Sequence, residues 1–213
     1  MLPDAVFWDM DGTLIDSEPL HDEALVKALL GLGLAPPADL HRRVLGLSAE
    51  DVFAMVRDEL GMPLPFREWI TRKYAHYLDG APALRAREGA VEIFRALDEK
   101  GMEQAIVSNS DRIVVDANLR ATGLQLPAFR SVSRNDVRAG KPDPEPFLRA
   151  AYLCGVEPGR CAVVEDSRTG ASAGVAAGMQ TFFWPQTALD PPPGARAIAS
   201  AAELAHALLE GAG

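Results

Sequence analysis

Asp9 and Asp11 stand two residues apart in Asp9-Met10-Asp11-Gly12-Thr13, directly after the apolar run Ala5-Val6-Phe7-Trp8. Residues two apart on a strand share a face, and a loop at the strand's end can turn both carboxylates toward one bound group. Two acids followed by Gly-Thr could hold a divalent cation and a phosphate, one acid acting as nucleophile and the other carrying a proton. The same letters also spell an ordinary Asp-Gly turn with solvated acids. Neighbouring elements must decide between these readings.

Apolar residues recur at three- and four-residue spacing near 17–31, 36–44, 48–60 and 65–79, punctuated by Gly31, Gly33, Gly61, Pro36, Pro37 and Pro63. That texture predicts an all-helical block. Beyond residue 88, helical segments alternate with short apolar strands. Helices are expected at 88–100, 112–122, from an Asp143 cap with Pro144 in first position to 154, at 169–177 and at 200–209. Strands are expected at 103–108, 129–133, 161–165 and 181–184. Alternation of this kind predicts a Rossmann-like α/β fold, a parallel sheet with helices on both faces and ligands at the carboxyl ends of its strands. Asp9/Asp11, Ser108/Asn109 and Glu165/Asp166 then lie on one rim. The expected boundaries are 1–16 and 85–213 for a catalytic core and 17–84 for an inserted helical cap. Linkers near Asp16-Ser17 and Pro82-Ala83-Leu84-Arg85 would act as hinges, because only two crossings join the blocks.

Composition narrows the chemistry. A formal net charge of −9 over 213 residues, without a run of Lys or Arg, argues against a nucleic-acid partner. Apolar stretches stay short of a membrane span, and Met1-Leu2-Pro3-Asp4 lacks the basic-then-apolar start of a signal peptide, so a cytoplasmic location is expected. Cys154 and Cys161 lie in apolar surroundings and read as reduced core residues. The segment Asp190-Pro191-Pro192-Pro193-Gly194 reads as a surface turn.

Four signals follow one another in order: Asp9-Met10-Asp11-Gly12-Thr13, Val107-Ser108-Asn109, Gly140-Lys141-Pro142-Asp143-Pro144 and Val163-Val164-Glu165-Asp166-Ser167. Together with Asp16-Ser17-Glu18-Pro19-Leu20-His21, they make the chain resemble the haloacid dehalogenase superfamily, in its branch with a helical cap inserted after the first motif. The resemblance implies that Asp9 accepts a phosphoryl group as an aspartyl phosphate, with no pKa adjustment needed for a carboxylate of reference value about 3.9. It implies Mg²⁺ held by Asp9, the Asp11 carbonyl and Asp166, with Glu165 supporting that shell. Asp11 would protonate the leaving oxygen and later deprotonate the attacking water. Ser108, the Asn109 backbone N–H, Lys141 and Thr13 would surround the phosphate oxygens.

Plainer roles stand beside several of these. Asp143 and Ser48 read as helix caps, Ser167 as a residue bonding the backbone at a helix start, and Gly170, Gly174 and Gly178 as a face that lets a helix approach the sheet. A dehalogenase needs neither Asp11 nor the Glu165-Asp166 pair. A β-phosphoglucomutase-like phosphotransferase needs cations for a second phosphate, and Leu45, Ala49 and Asp111 stand at those positions, with Arg112, Arg42 and Arg43 as possible substitutes. A non-catalytic phosphate-binding module would have lost Asp9 or Asp11. The expected activity is therefore hydrolysis of a small phosphomonoester, a sugar or sugar-acid phosphate, by a monomer or weak homodimer. Selectivity would come from the cap residues Gly46, Leu47, Ser48, Glu18 and His21.

Overall fold

A computed structural model of the chain describes residues 2–44, 47–124 and 130–210. It divides into two compact units, Met1–Asp16 with Arg85–Gly213, and Ser17–Leu84.

The first unit is an α/β fold around a parallel sheet of order β3-β2-β1-β4-β5-β6. Its strands are β1 (Ala5–Trp8), β2 (Glu103–Val107), β3 (Arg130–Val132), β4 (Cys161–Glu165), β5 (Gln180–Phe183) and β6 (Arg196–Ala197). Every residue of β1 and β4 is buried, as central strands covered on both faces must be. Alternation separates the two faces. Ala5, Phe7, Ala105, Val107, Cys161 and Val163 pack into one core cluster with Phe147, Ala150 and Ala173. On the other face Trp8 meets Phe94 edge-on with ring centroids 6.1 Å apart, and its indole N–H donates to Gln104 Oε1 at 2.9 Å.

The helices of this unit are α5 (Ala90–Glu99), α6 (Arg112–Thr122), α7 (Glu145–Cys154), α8 (Arg168–Ala176) and α9 (Ala201–Leu209). The helix expected to open at Pro144 begins at Glu145. Asp143 closes a tight turn there, its Oδ1 accepting from Glu145 N at 2.8 Å. Gly170 and Gly174 do lie against the sheet, but Gly178 has open space around it. It serves as the left-handed residue just beyond α8, at φ 74°. β6 was not expected from the sequence, since both of its residues are exposed and follow the proline-rich turn.

The second unit contains α1 (Glu18–Leu30), α2 (Leu40–Val44), α3 (Ala49–Leu60) and α4 (Phe66–Gly80). The helix expected over 36–44 is limited to its second half, because Pro36 and Pro37 cannot donate to a helical ladder. Leu25, Leu29, Val52, Val56, Trp69 and Ile70 form its core. Ser48 caps α3 as expected, accepting from Asp51 N at 3.1 Å.

The two chain crossings are bonded to each other within the first unit. Asp16 N donates to Arg85 O at 3.0 Å, and Arg87 N donates to Leu14 O at 2.8 Å. Between them Ile15 and Ala86 form an antiparallel bridge.

Candidate active site

β1 ends at Trp8, so Asp9 leaves the sheet from its centre, with its own N–H still bonded to Val164 O at 2.9 Å. The next residues must turn sharply. Gly12 permits this with φ 84°, and a Cβ there would lie 2.2 Å from Asp166 Oδ2, so the position accepts no side chain without displacing that carboxylate. Arg87 and Gln186, which line a cavity of about 290 Å³, both donate to the Gly12 carbonyl, at 3.0 and 2.9 Å. Arg87 also bonds Trp184 O and lies over the Trp184 ring at 3.7 Å. The loop that carries both aspartates is thus pinned by side chains from the segments before α5 and after β5.

Lys141 is the centre of the charge arrangement. Its buried ammonium donates to Asp9 Oδ1 at 2.7 Å, Val107 O at 2.7 Å and Glu165 Oε1 at 2.6 Å, which uses all three N–H bonds. Asn109 fixes the lysine from behind, its Oδ1 accepting from Lys141 N at 2.8 Å and its Nδ2 donating to Lys141 O at 3.0 Å. Glu165 is fully buried, and its second oxygen accepts from the N–H and hydroxyl of Ser167 at 3.1 and 2.9 Å. Ser167 in turn caps α8 through Gly170 N.

Burial and the negative charge of Glu165 push the Asp9 carboxyl well above the usual carboxylate range, with Lys141 opposing them. The expectation that Asp9 needs no adjustment is corrected by this environment. Burial also works against the Lys141 charge, but Asp9 and Glu165 outweigh it and raise the ammonium. A proton-free nucleophile at neutral pH therefore depends on positive charge beside it.

Oxygens of Asp9, Glu165 and Asp166 lie within 4.8 Å of one another. An all-carboxylate, partly buried donor set suits a hard cation such as Mg²⁺. Asp166 is oriented by Thr13, whose hydroxyl donates to its Oδ1 at 3.2 Å. Both Glu165 oxygens are engaged, one by Lys141 and the other by Ser167.

Asp11 is held separately. Ser110 and Ser108 donate to its Oδ2 at 2.8 and 3.2 Å, and Asn118 donates to its Oδ1 at 3.1 Å. The sheet unit thus brings together Asp9, Asp11, Thr13, Ser108, Asn109, Lys141, Glu165 and Asp166. Ser110, Asn118, Arg87 and Gln186 were not singled out from the sequence. Asn118 left a trace there, as a polar residue on the face where Val114, Val115 and Leu119 are buried.

The selectivity candidates belong to the helical unit. Glu18 and His21 open α1, and the His21 ring lies 4.4 Å from the Tyr77 ring of α4. Leu47 and Ser48 are exposed at the start of α3, while Gly46 lies outside the described residues. Cysteine chemistry has no place in this arrangement, since Cys154 and Cys161 are free thiols and burial pushes Cys161 up to about 12.

A family model described as haloacid dehalogenase-like hydrolase matches residues 3–178. The chain belongs to that family. It is accordingly an enzyme, a hydrolase of the haloacid dehalogenase type. Among curated relatives, the protein SUPPRESSOR OF QUENCHING 1, chloroplastic, of Arabidopsis thaliana is 34% identical over 185 residues, covering 83% of this chain. The chain spans only 17% of that relative's length. Hexitol phosphatase A of Escherichia coli is 32% identical over 174 residues, covering 80% of this chain and 78% of the relative. A crystal structure of CbbY from Rhodobacter sphaeroides in complex with phosphate has the same fold, with TM-score 0.86, 24% identity and coverage of 95% and 96%.

Proposed function

We propose that this hydrolase is a Mg²⁺-dependent phosphatase that cleaves a small phosphomonoester, a sugar or sugar-acid phosphate, through an aspartyl phosphate on Asp9. The observation that carries the reading is the Lys141 ammonium held between Asp9 and Glu165, with Asp166 beside them in one carboxylate cluster and Asp11 two residues after Asp9.

When bound, Mg²⁺ supplies positive charge that lets an anionic nucleophile meet an anionic phosphate. Asp9, Asp166 and the Asp11 carbonyl would hold it, with Glu165 behind them. Asp9 attacks phosphorus as the bond to the leaving oxygen breaks, and Asp11 gives that oxygen a proton. Water then attacks phosphorus, Asp11 takes its proton, and phosphate departs with the Asp9 carboxylate restored. Lys141, the Ser108 hydroxyl, the Asn109 N–H and Thr13 would surround the charge that develops on the phosphoryl oxygens, the two hydroxyls turning from the carboxylates they bond here. Glu18, His21, Gly46, Leu47 and Ser48 would choose among leaving groups, which supports a hydroxylated substrate rather than a phosphoprotein. The hexitol phosphatase relative points the same way.

A mutase reading is weaker. Asp111, where a second phosphate would want a cation, carries a carboxylate that accepts from Asn135 at 2.9 Å. Arg112 is already bonded to Ser131 and Asp136. Free cysteines fit a cytoplasmic location, and the reading takes the enzyme as a monomer or weak dimer acting on small molecules. The described residues include no helix long and apolar enough to cross a membrane.

Release of phosphate from p-nitrophenyl phosphate and a panel of phosphorylated metabolites, with Mg²⁺ and with EDTA, tests the reading. We expect turnover that needs Mg²⁺ and favours sugar or sugar-acid phosphates. Equal rates in EDTA, or interconversion of glucose 1- and 6-phosphates without free phosphate, would overturn it.

A further inference from the structure

α6 carries one residue that its own helix does not explain. Asn118 is fully buried at mid-helix, on the face it shares with Val114, Val115 and Leu119. Asparagine is a poor helix former, and burying an amide costs free energy unless it is hydrogen-bonded. Its Nδ2 donates across to Asp11 Oδ1 at 3.1 Å, spanning 107 residues of sequence.

We infer that Asn118 is a positioning residue that holds the Asp11 carboxyl group in one orientation for the proton transfers of the reaction. Ser108 and Ser110 meet Oδ2 through hydroxyls, which can donate or accept as the proton comes and goes. The Asn118 NH₂ can only donate. The carboxyl group is therefore gripped at both oxygens, Oδ1 by Asn118 and Oδ2 by the two serines. Leaving-group protonation and water activation then use one carboxyl group, held in one orientation by the β2–α6 segment. An aspartate on a loop without such a tether would spread over rotamers, and misplacement by about 1 Å can cost as much as 10²-fold in rate.

This inference rests on the phosphatase reading above, and its test separates the two. kcat/KM reports steps up to phosphoryl transfer, where a general acid matters for a basic alkoxide and little for p-nitrophenolate. The experiment compares p-nitrophenyl phosphate with the alkyl phosphate of highest kcat/KM in the panel, for wild type, Asn118→Leu, Asp11→Asn and the double variant. Asn118→Leu should lose about tenfold more kcat/KM on the alkyl phosphate than on p-nitrophenyl phosphate, mainly through kcat. In the Asp11→Asn background the same replacement should have no further selective effect, because its action passes through Asp11. Thermal melting checks the fold, and Asn118→Ala replaces Asn118→Leu if the larger residue is not accommodated. Equal losses on both substrates, or a selective loss that persists without Asp11, would overturn the inference. A wild type that hydrolyses no alkyl phosphate would overturn the phosphatase reading itself, and this inference with it.

Discussion

Lys141 shows how a single residue can serve chemistry and stability together. Its ammonium neutralises two buried carboxylates at 2.7 and 2.6 Å. Removing one partner of a buried ion pair leaves the other charge uncompensated, at a cost of about 3–5 kcal/mol. Lys141→Met should therefore lower the unfolding free energy by an amount in that range, read from urea titrations by circular dichroism, and should abolish phosphate release. Asp9→Asn should also abolish turnover, since an amide is a poor nucleophile. Asp11→Asn should retain metal binding through its carbonyl yet lose roughly 10²–10⁴-fold in rate, measured as phosphate release. The acids and the lysine were visible in the sequence because each ends a strand or sits in a short motif. Asn118 was not, since helical periodicity tells which face is buried and not which distant carboxylate that face will meet; nor was Arg87, which lies in the loop before α5, where no periodicity marks it. The raised Asp9 was hidden for a related reason, because burial and crowding arise only once β1 and β4 lie side by side.

At the scale of elements, the approach of α8 to the sheet is set by Gly170. A Cβ at that position would lie 1.6 Å from Glu165 Oε1. Alanine favours a helix over glycine by about 1 kcal/mol, whereas overpacking typically costs about 1–3 kcal/mol and here would also disturb the Lys141–Glu165 pair. The clash should win. Gly170→Ala is expected to lower the unfolding midpoint and the Mg²⁺-dependent rate together, in contrast to an exposed Gly→Ala change in a helix. The helices and central strands were readable from period and punctuation alone. Ends of elements were not, as at Asp143, where a side chain closes a turn before the helix begins, and at β6, where two exposed residues extend the sheet without any apolar pattern.

At the scale of the whole molecule, the crowded carboxylates tie stability to pH and metal. A group whose pKa is raised by folding adds stability as pH falls through the raised value, fully so below the unfolded value of about 3.8. Above that raised value the metal-free protein instead bears the cost of keeping Asp9 charged. Mg²⁺ should relieve that cost, so the difference in Tm between Mg²⁺ and EDTA should be largest near neutral pH and shrink on acidification. A difference that stays constant, or grows, toward acid pH would contradict this origin.

The paired crossings have a consequence of another kind. Asp16 and Arg85 are joined by a backbone hydrogen bond, so the chain leaves and re-enters the sheet unit at neighbouring points. Closely spaced entry and exit points are what make a domain insertion tolerable. The sheet unit therefore offers a socket: residues 17–84 could be exchanged for another insert of quite different length or fold, provided its own ends meet. Such an exchange would leave Asp9 and Glu165 at the ends of β1 and β4, with Lys141 still bonded to both.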